Sequence, residues 1–270
     1  MSKTLLRSKS PSGAAYAVAG TGPTVLLIHG VGMRIEAWNP QIGFLSRHYR
    51  TVAVDLPGHG ESAALPKGAR LSDFVSWCTN FIRETGIGPV SVAGHSMGAM
   101  IAGGLAASAP DLVARVALLN GVYKRTQQAR DAVKARAAEI VSGHFDRTAP
   151  LARWFGPGHE FEDAYQLCRD LLADVNADGY ATAYAAFADG DLEFADRWPE
   201  IQCPALFLTG DGDLNSTADM ANAMAEAAPA GEALVIRGHR HMVNLTAPDI
   251  VNEALASWLA RPAREVAHAL

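Results

Sequence analysis

The chain of 270 residues has only three cysteines, Cys78, Cys168 and Cys203, far apart and with no CxxC pair. An odd, scattered set of this kind excludes a disulfide framework and a cysteine-built zinc site. Charge is also scarce. Asp, Glu, Lys and Arg make up 19% of the chain against 49% hydrophobic residues, which excludes the composition of a disordered protein. There is no basic excess either. With 23 Lys+Arg against 28 Asp+Glu the formal net charge is -5, and a mildly acidic surface repels phosphate backbones, so no nucleic-acid partner is expected. The N-terminal residues 1–12 are polar and basic, with no apolar stretch that would read as a secretory signal. Residues 90–109 lack charged side chains, yet His95 and repeated glycines break the run. It reads as a buried strand, turn and helix, and no membrane partner is expected. These absences predict a soluble protein of a reducing, cytoplasmic compartment. Length suits one domain with an insertion rather than two independent domains.

What is present is a rhythm. Short apolar runs at residues 25–28, 51–54, 90–93, 116–119, 205–208 and 233–236 are each followed within two residues by Gly or Asp. Such runs suit parallel strands covered on both faces. Helical stretches separate them at 71–85, 97–109 and 217–227, and a last helix at 249–259 puts Ile250, Val251, Ala254, Leu255, Trp258 and Leu259 on one stripe. Alternation of this kind predicts an α/β fold with a doubly wound, mostly parallel sheet. Residues 14–19 add an antiparallel edge strand. Between 123 and 197 the rhythm stops, and helices at 127–141, 161–176 and 179–188 replace it. The expected organisation is a core of residues 1–122 and 198–270, with 123–197 as a helical lid over the carboxyl edge of the sheet.

The segment Gly94-His95-Ser96-Met97-Gly98 follows a strand and opens a helix. A reversal this tight forces its central residue into strained geometry, and small residues on either side avoid clashes with the strand and helix. It lifts the Ser96 hydroxyl to the sheet edge, at a helix N-terminus that favours developing negative charge. Ser96 is therefore the candidate nucleophile.

With that turn, Ile28-His29-Gly30-Val31-Gly32 followed by Trp38, and Asp55-Leu-Pro-Gly-His-Gly-Glu-Ser62, the chain resembles the serine-nucleophile branch of the α/β-hydrolase superfamily over nearly its whole length. The resemblance implies an oxyanion hole made by the backbone N–H groups of Val31 and Met97, each such donor worth about 3 kcal/mol in a transition state. His29 and Gly30 read as turn-forming residues.

A serine nucleophile needs a base, and the base an orienting acid. In the family the order is Ser, Asp or Glu, then His. Of the histidines after the last strands, His268 lies in the tail beyond Pro262, while His239 and His241 follow the strand directly. The family's spacing of seven residues from His to a helix-starting Pro fits His241 and Pro248, leaving His239 to support the loop. The family's G-x-x-D after the preceding strand points to Asp213, with Asp211 as a turn carboxylate. The acid position that some relatives use one strand earlier holds Asn120, which cannot serve. Asp211, Asp213 and Asn215 superficially match a calcium loop, but Ser216 and Asn222 stand where Gly and Glu are required, so no metal and no cofactor is expected. Thr217 stands where many relatives carry Pro.

For the substrate, Trp154 and Tyr184 of the insertion are the candidate contacts, among other aromatic and basic residues there: Arg125, Arg153, Phe155, His159, Tyr165 and Tyr180. Arg34, after the first turn, either clamps a substrate carboxylate or pairs with Glu36. Residues 178–191 are similar to the equivalent region of 3-oxoadipate enol-lactonases and their ring-cleavage-pathway relatives. The resulting expectation is a hydrolase of a small carboxylic ester, lactone or thioester acting through an acyl-enzyme. The alternatives are a carbon–carbon bond hydrolase of a ring-fission product, amide hydrolysis or acyl transfer on the same machinery, and a non-catalytic ligand sensor. Dehalogenases and epoxide hydrolases of this fold need an aspartate where Ser96 stands.

Overall fold

The unbroken apolar runs assemble into one eight-stranded sheet in a computed structural model, which describes residues 6–158 and 161–263. The chain opens with β1 (Ser8–Lys9), β2 (Ala15–Ala19) and β3 (Thr24–Ile28), then α1 (Asn39–Leu45) and β4 (Arg50–Val54). Next come α2 (Leu71–Thr85), β5 (Val90–His95), α3 (Met97–Ser108) and β6 (Val113–Leu119). Four helices follow: α4 (Gln127–Val141), α5 (Ala149–Phe155), α6 (Glu162–Ala173) and α7 (Ala177–Asp189). The alternation then resumes with β7 (Ala205–Gly210), α8 (Ala218–Ala227), β8 (Gly231–Ile236), α9 (Val243–Thr246) and α10 (Pro248–Ala260).

The strand order is β1-β2-β4-β3-β5-β6-β7-β8. β2 pairs antiparallel with β1 and β4, and every pairing from β4 to β8 is parallel. The doubly wound sheet is thus as expected, and the antiparallel strand expected over 14–19 is β2, one place in from the edge that the two-residue β1 occupies. Leu26, Ile28, Val52, Val54, Val92, Val116, Leu118 and Phe207 face one apolar layer that includes side chains of α2 and α3. Their neighbours Val25, Leu27, Ala53, Ala93, Ala117, Leu119 and Leu208 face the other, against Trp38, Leu45, Val251, Leu255 and Trp258. Both faces are covered, which is why the strands read as unbroken apolar runs.

From β3 the chain winds outward to β4 on one side and crosses to β5 on the other. Loops leaving the carboxyl ends of β3 and β5 therefore diverge, and a crevice opens between them. That switch point is where Gly30–Val31 and Ser96 lie.

Two sequence expectations need correction. Ile250 is 46% exposed, although Val251, Leu255, Trp258 and Leu259 of the same helix are buried. Buried positions at 251, 255 and 258 centre the stripe so that residue 250 falls on its solvent shoulder. The helix expected over 161–176 ends early, at Ala173 of α6, because Asn176 caps the next helix, α7, by accepting from the Gly179 amide at 2.8 Å. The short helices α1 and α5, each with Pro in the first turn, were not foreseen.

The helical segment between β6 and β7 is tied at its base. The buried Asp191 carboxylate accepts from the Arg125 amide at 2.9 Å and pairs with the guanidinium groups of Arg125 at 3.3 Å and Arg130 at 3.0 Å. Lys124 and Asp196 form a second tie at 3.0 Å. Gly58, with φ of 73°, and Gly179 of α7 meet backbone to backbone: a Cβ on Gly179 would lie 2.1 Å from the Gly58 carbonyl oxygen. Among the described residues no helix is long and apolar enough to cross a membrane, and no disulfide joins the three buried cysteines.

Candidate active site

The turn between β5 and α3 holds Ser96 at φ 56° and ψ -115°, a strained conformation that costs roughly 1–3 kcal/mol and is kept only where the surroundings over-determine it. Here they do. A Cβ on Gly94 would lie 2.0 Å from the Gly98 carbonyl oxygen, and one on Gly98 would lie 2.2 Å from the Ile28 carbonyl oxygen. Only glycines let helix, strand and turn approach this closely.

Two other strand ends meet this turn. The loop after β7 carries Asp213, and the loop after β8 carries His241, both almost fully buried. Asp213 Oδ2 accepts from His241 Nδ1 at 2.7 Å, and His241 Nε2 lies 3.1 Å from Ser96 Oγ. Three residues far apart in sequence thus form one hydrogen-bond chain. The carboxylate is held from both sides, Oδ1 by the Asn215 amide at 2.9 Å and Oδ2 also by Asn120 Nδ2 at 2.9 Å. Burial alone would raise the Asp213 carboxyl, but the His241 ring and these hydrogen bonds outweigh it and hold it below the ordinary carboxylate value. A ring nitrogen fixed on a carboxylate leaves the other free to accept a proton from the serine.

The His241 ring is further placed by its neighbours. His95 Nε2 donates to the His241 carbonyl oxygen at 2.7 Å. Burial, together with the charge His241 can carry, pushes His95 down to about 3, so it stays neutral. Trp154 of α5 lies nearly parallel to the His241 ring, centroids 5.9 Å apart, and its carbonyl accepts from the His241 amide at 3.3 Å.

The turn after β3 is built on two more buried, neutral histidines. His29 donates from Nδ1 to the Gly30 carbonyl at 2.8 Å and accepts the Leu56 amide at Nε2. His59 donates from Nδ1 to the Pro57 carbonyl and accepts the Gly32 amide at 3.0 Å. Each ring uses one nitrogen as donor and one as acceptor, an arrangement only the neutral form can make. Burial accordingly lowers both, His59 to about 3. Below them Asp55 accepts from Arg7 Nε at 2.7 Å and the Ile35 amide at 3.0 Å. The Val31 amide has no backbone acceptor among the described residues, and that of Met97, first in α3, has no acceptor within its helix.

These groups open into a cavity of about 840 Å³, within the range of small-molecule sites. Val31, Ser96, Asp213 and His241 line one end, and Trp154 and Tyr184 line it from the helical segment, where sequence placed them. So do Arg125, Arg153 and Tyr180, whereas Phe155 and Tyr165 meet edge to face and are not among the lining residues. His159 lies outside the described residues. Arg34 needs correction. It is not among the cavity-lining residues and does not pair with Glu36: its Nη1 donates to Asp174 at 2.8 Å, because the side chain leaves the turn toward the α6–α7 connection, while Glu36 is held bidentately by Arg7. Asp211 accepts the Gly238 amide, a turn carboxylate, and His239 bonds the Thr246 hydroxyl, a loop support. Sequence reasoning missed Arg136, whose Nε donates to the Tyr184 hydroxyl at 3.3 Å within the cavity wall.

The profile of the alpha/beta hydrolase family matches residues 25–254. The chain belongs to that family. A relative, the (E)-2-((N-methylformamido)methylene)succinate hydrolase of Acinetobacter baylyi, is 51% identical over 259 residues, spanning 96% of this chain and 98% of its own. Among solved α/β-hydrolase structures, the enol-lactonase of Burkholderia xenovorans LB400 superposes with a TM-score of 0.82 at 25% identity, over 94% of this chain and 99% of its own. A thermophilic esterase of Thermogutta terrifontis superposes with a TM-score of 0.83 at 23% identity, over 95% and 98%, and speaks for the fold alone. This α/β hydrolase is an enzyme of the hydrolase class.

Proposed function

We propose that the chain is a serine hydrolase that cleaves the amide C–N bond of an open-chain, unsaturated dicarboxylate. The observation that carries this reading is the hydrogen-bond chain Asp213–His241–Ser96 opening into a cavity lined by four cationic side chains. In a chain of net charge -5, the cavity lining contains Lys124, Arg125, Arg136 and Arg153 against Asp213 and Asp219. Lys124 and Arg125 have their own carboxylate partners, but Arg136 and Arg153 form no ion pair among the described residues. Guanidinium groups with no carboxylate in close contact suit the carboxylates of a ligand, which they bind with two parallel hydrogen bonds. A neutral short ester gives them nothing to hold.

The name of the Acinetobacter relative's substrate describes such a molecule, a methylenesuccinate with two carboxylates and a tertiary formamide. It favours the substrate class of the ring-fission-product alternative over a simple ester, lactone or thioester, though not the carbon–carbon bond of that alternative. It also narrows the bond, since the carbonyl open to attack is that of an amide. Ser96 Oγ adds to this carbonyl as His241 Nε2 takes its proton, and Asp213 stabilises the resulting imidazolium. The Val31 and Met97 amides receive the oxyanion. Collapse breaks the C–N bond, and His241 returns the proton to the leaving nitrogen. Water, deprotonated by His241, then releases the acyl group as a carboxylic acid. Helices α4 to α7 act as the lid that carries the carboxylate-binding residues, and the compartment is a reducing one.

The test is incubation with (E)-2-((N-methylformamido)methylene)succinate, followed by NMR. Formate should appear with the protein and not with Ser96→Ala. An unaltered substrate alongside brisk turnover of p-nitrophenyl acetate returns the reading to the ester branch, and no turnover of either supports the sensor.

A further inference from the structure

Asn120 sits where the chain leaves β6 and is 0% exposed. Its φ of 50° is left-handed, a region Asn tolerates better than most side chains. The backbone is pinned there from both sides: its amide donates to the Leu208 carbonyl at 2.7 Å, and its carbonyl accepts from Ser216 Oγ at 2.7 Å. The side chain is thereby aimed at the loop after β7.

What it meets there is acceptors only. Asn120 Nδ2 lies 2.9 Å from Asp213 Oδ2, 3.1 Å from Thr209 Oγ1 and 3.2 Å from the Arg240 carbonyl oxygen. Thr209 commits its own proton to the Ser216 carbonyl at 2.6 Å, so its oxygen can only accept from Asn120. Turning the amide over would set oxygen against all three, which fixes the orientation shown. The consequence is that Asn120 Oδ1 is buried with no hydrogen-bond partner among the described residues. Orphaned polar atoms occur elsewhere in the core, on Gln41 and Asn252 for example, so what marks this position is the set of three acceptors gathered on Nδ2. The position is organised around donation to the carboxylate.

We infer that Asn120 is a positioning residue, holding the Asp213 carboxylate so that Oδ2 meets His241 Nδ1 and limiting how tightly that carboxylate retains a proton on His241. The inference rests on the triad reading given above. Oδ2 takes two donors, Asn120 and His241, and they compete for its charge. With Asn120 removed, the whole charge of Oδ2 falls on the imidazole, which then keeps its proton to higher pH and is a base over a narrower range. Other groups facing the ring do not supply this balance. Ser96 is at Nε2, neutral His95 has its ring 5.1 Å away, and Trp154 covers a face from α5, which also brings Arg153 to the cavity.

The experiment is the pH profile of p-nitrophenyl acetate hydrolysis from pH 5 to 9 for the native chain, Asn120→Ala and Asn120→Asp. A hydrogen bond to a charged group corresponds to roughly one pH unit in the ionisation it biases and about tenfold in rate. Asn120→Ala should lose about that in kcat, with KM little changed, and its acid limb should move to higher pH by up to roughly one unit. Asn120→Asp, which adds a second carboxylate, should move the limb further. Acid limbs that stay at the native position overturn the inference, whatever happens to kcat. Should the variants not fold, the native protein still decides. The Asn120 side-chain amide protons should shift in NMR in step with the His241 imidazole, and an amide that ignores that titration is equally fatal. Failure of the triad reading itself shows separately, as native protein that takes no fluorophosphonate label and as turnover that survives Ser96→Ala.

Discussion

The cavity has a floor and a roof of opposite character. The floor is made of strand ends and tight turns in which Ser96, Asp213, His241, His95, His59 and Asn120 are all buried, each held by hydrogen bonds that cross between loops. The roof is four helices whose cavity face carries arginines and tyrosines, tied below by Asp191, by a close approach of two glycines and by a few ion pairs. Chemistry that depends on sub-ångström placement sits where backbone geometry fixes it. On the proposed reading, discrimination between substrates falls to side chains of the roof, which can be exchanged without disturbing the sheet.

The sharpest break of this comparison is Ser96→Ala. Turnover should fall by at least about 10⁴-fold, the loss expected when one member of a co-operating set is removed, while substrate binding persists. Isothermal titration with the dicarboxylate separates the two. Next is Gly98→Ala, whose new methyl would press on the Ile28 carbonyl; a loss of about 4 kcal/mol or more should show in denaturant unfolding, because nothing in the floor can yield.

Acid should separate the two regions as well. His59 and His95 are held neutral in the folded floor at about 3 but titrate near 6.5 once unfolded, so their contribution is complete above pH 6.5 and drains as pH falls toward 3. Each proton taken up on unfolding steepens the decline by about 1.4 kcal/mol per pH unit. Calorimetry between pH 7 and 5 should show Tm dropping steadily, and His59→Gln should flatten that slope.

Smaller effects belong to the roof. Arg136→Met and Arg153→Met should each raise KM for the dicarboxylate by roughly 10- to 100-fold with kcat less affected, the loss expected of one charge-assisted contact. Equal losses for dicarboxylate and p-nitrophenyl acetate would deny these arginines their role. Gly179→Ala, which must push α7 off Gly58, should cost about 1–3 kcal/mol and loosen the helices more than the sheet, measurable by hydrogen exchange.

The floor was legible in the sequence for the reason that makes it rigid. A turn that only Gly-x-Ser-x-Gly can form, or a histidine seven residues before a helix-starting proline, leaves a fixed spacing, and Ser96, Asp213 and His241 could be read from it. The roof leaves no such mark. Arg34 looked well placed for a carboxylate yet turns to Asp174, since a long flexible side chain answers to neighbours that sequence spacing does not reveal. Arg136 went unnoticed because, on α4, it looks like any solvated helix residue until the Tyr184 hydroxyl is seen beside it. Asn120 was dismissed as unable to replace an acid. That is true, but its contact with Asp213 exists only because β6 and β7 are adjacent.

Asp191 deserves a last thought for what it does to heredity. Because the helical segment begins and finishes on the same carboxylate, its two ends stay together whatever happens between them. Insertions, deletions or wholesale replacement of the intervening helices would leave the sheet's own connections unstretched. A lineage built this way can try new substrates by shuffling one cassette while the reactive machinery is inherited intact.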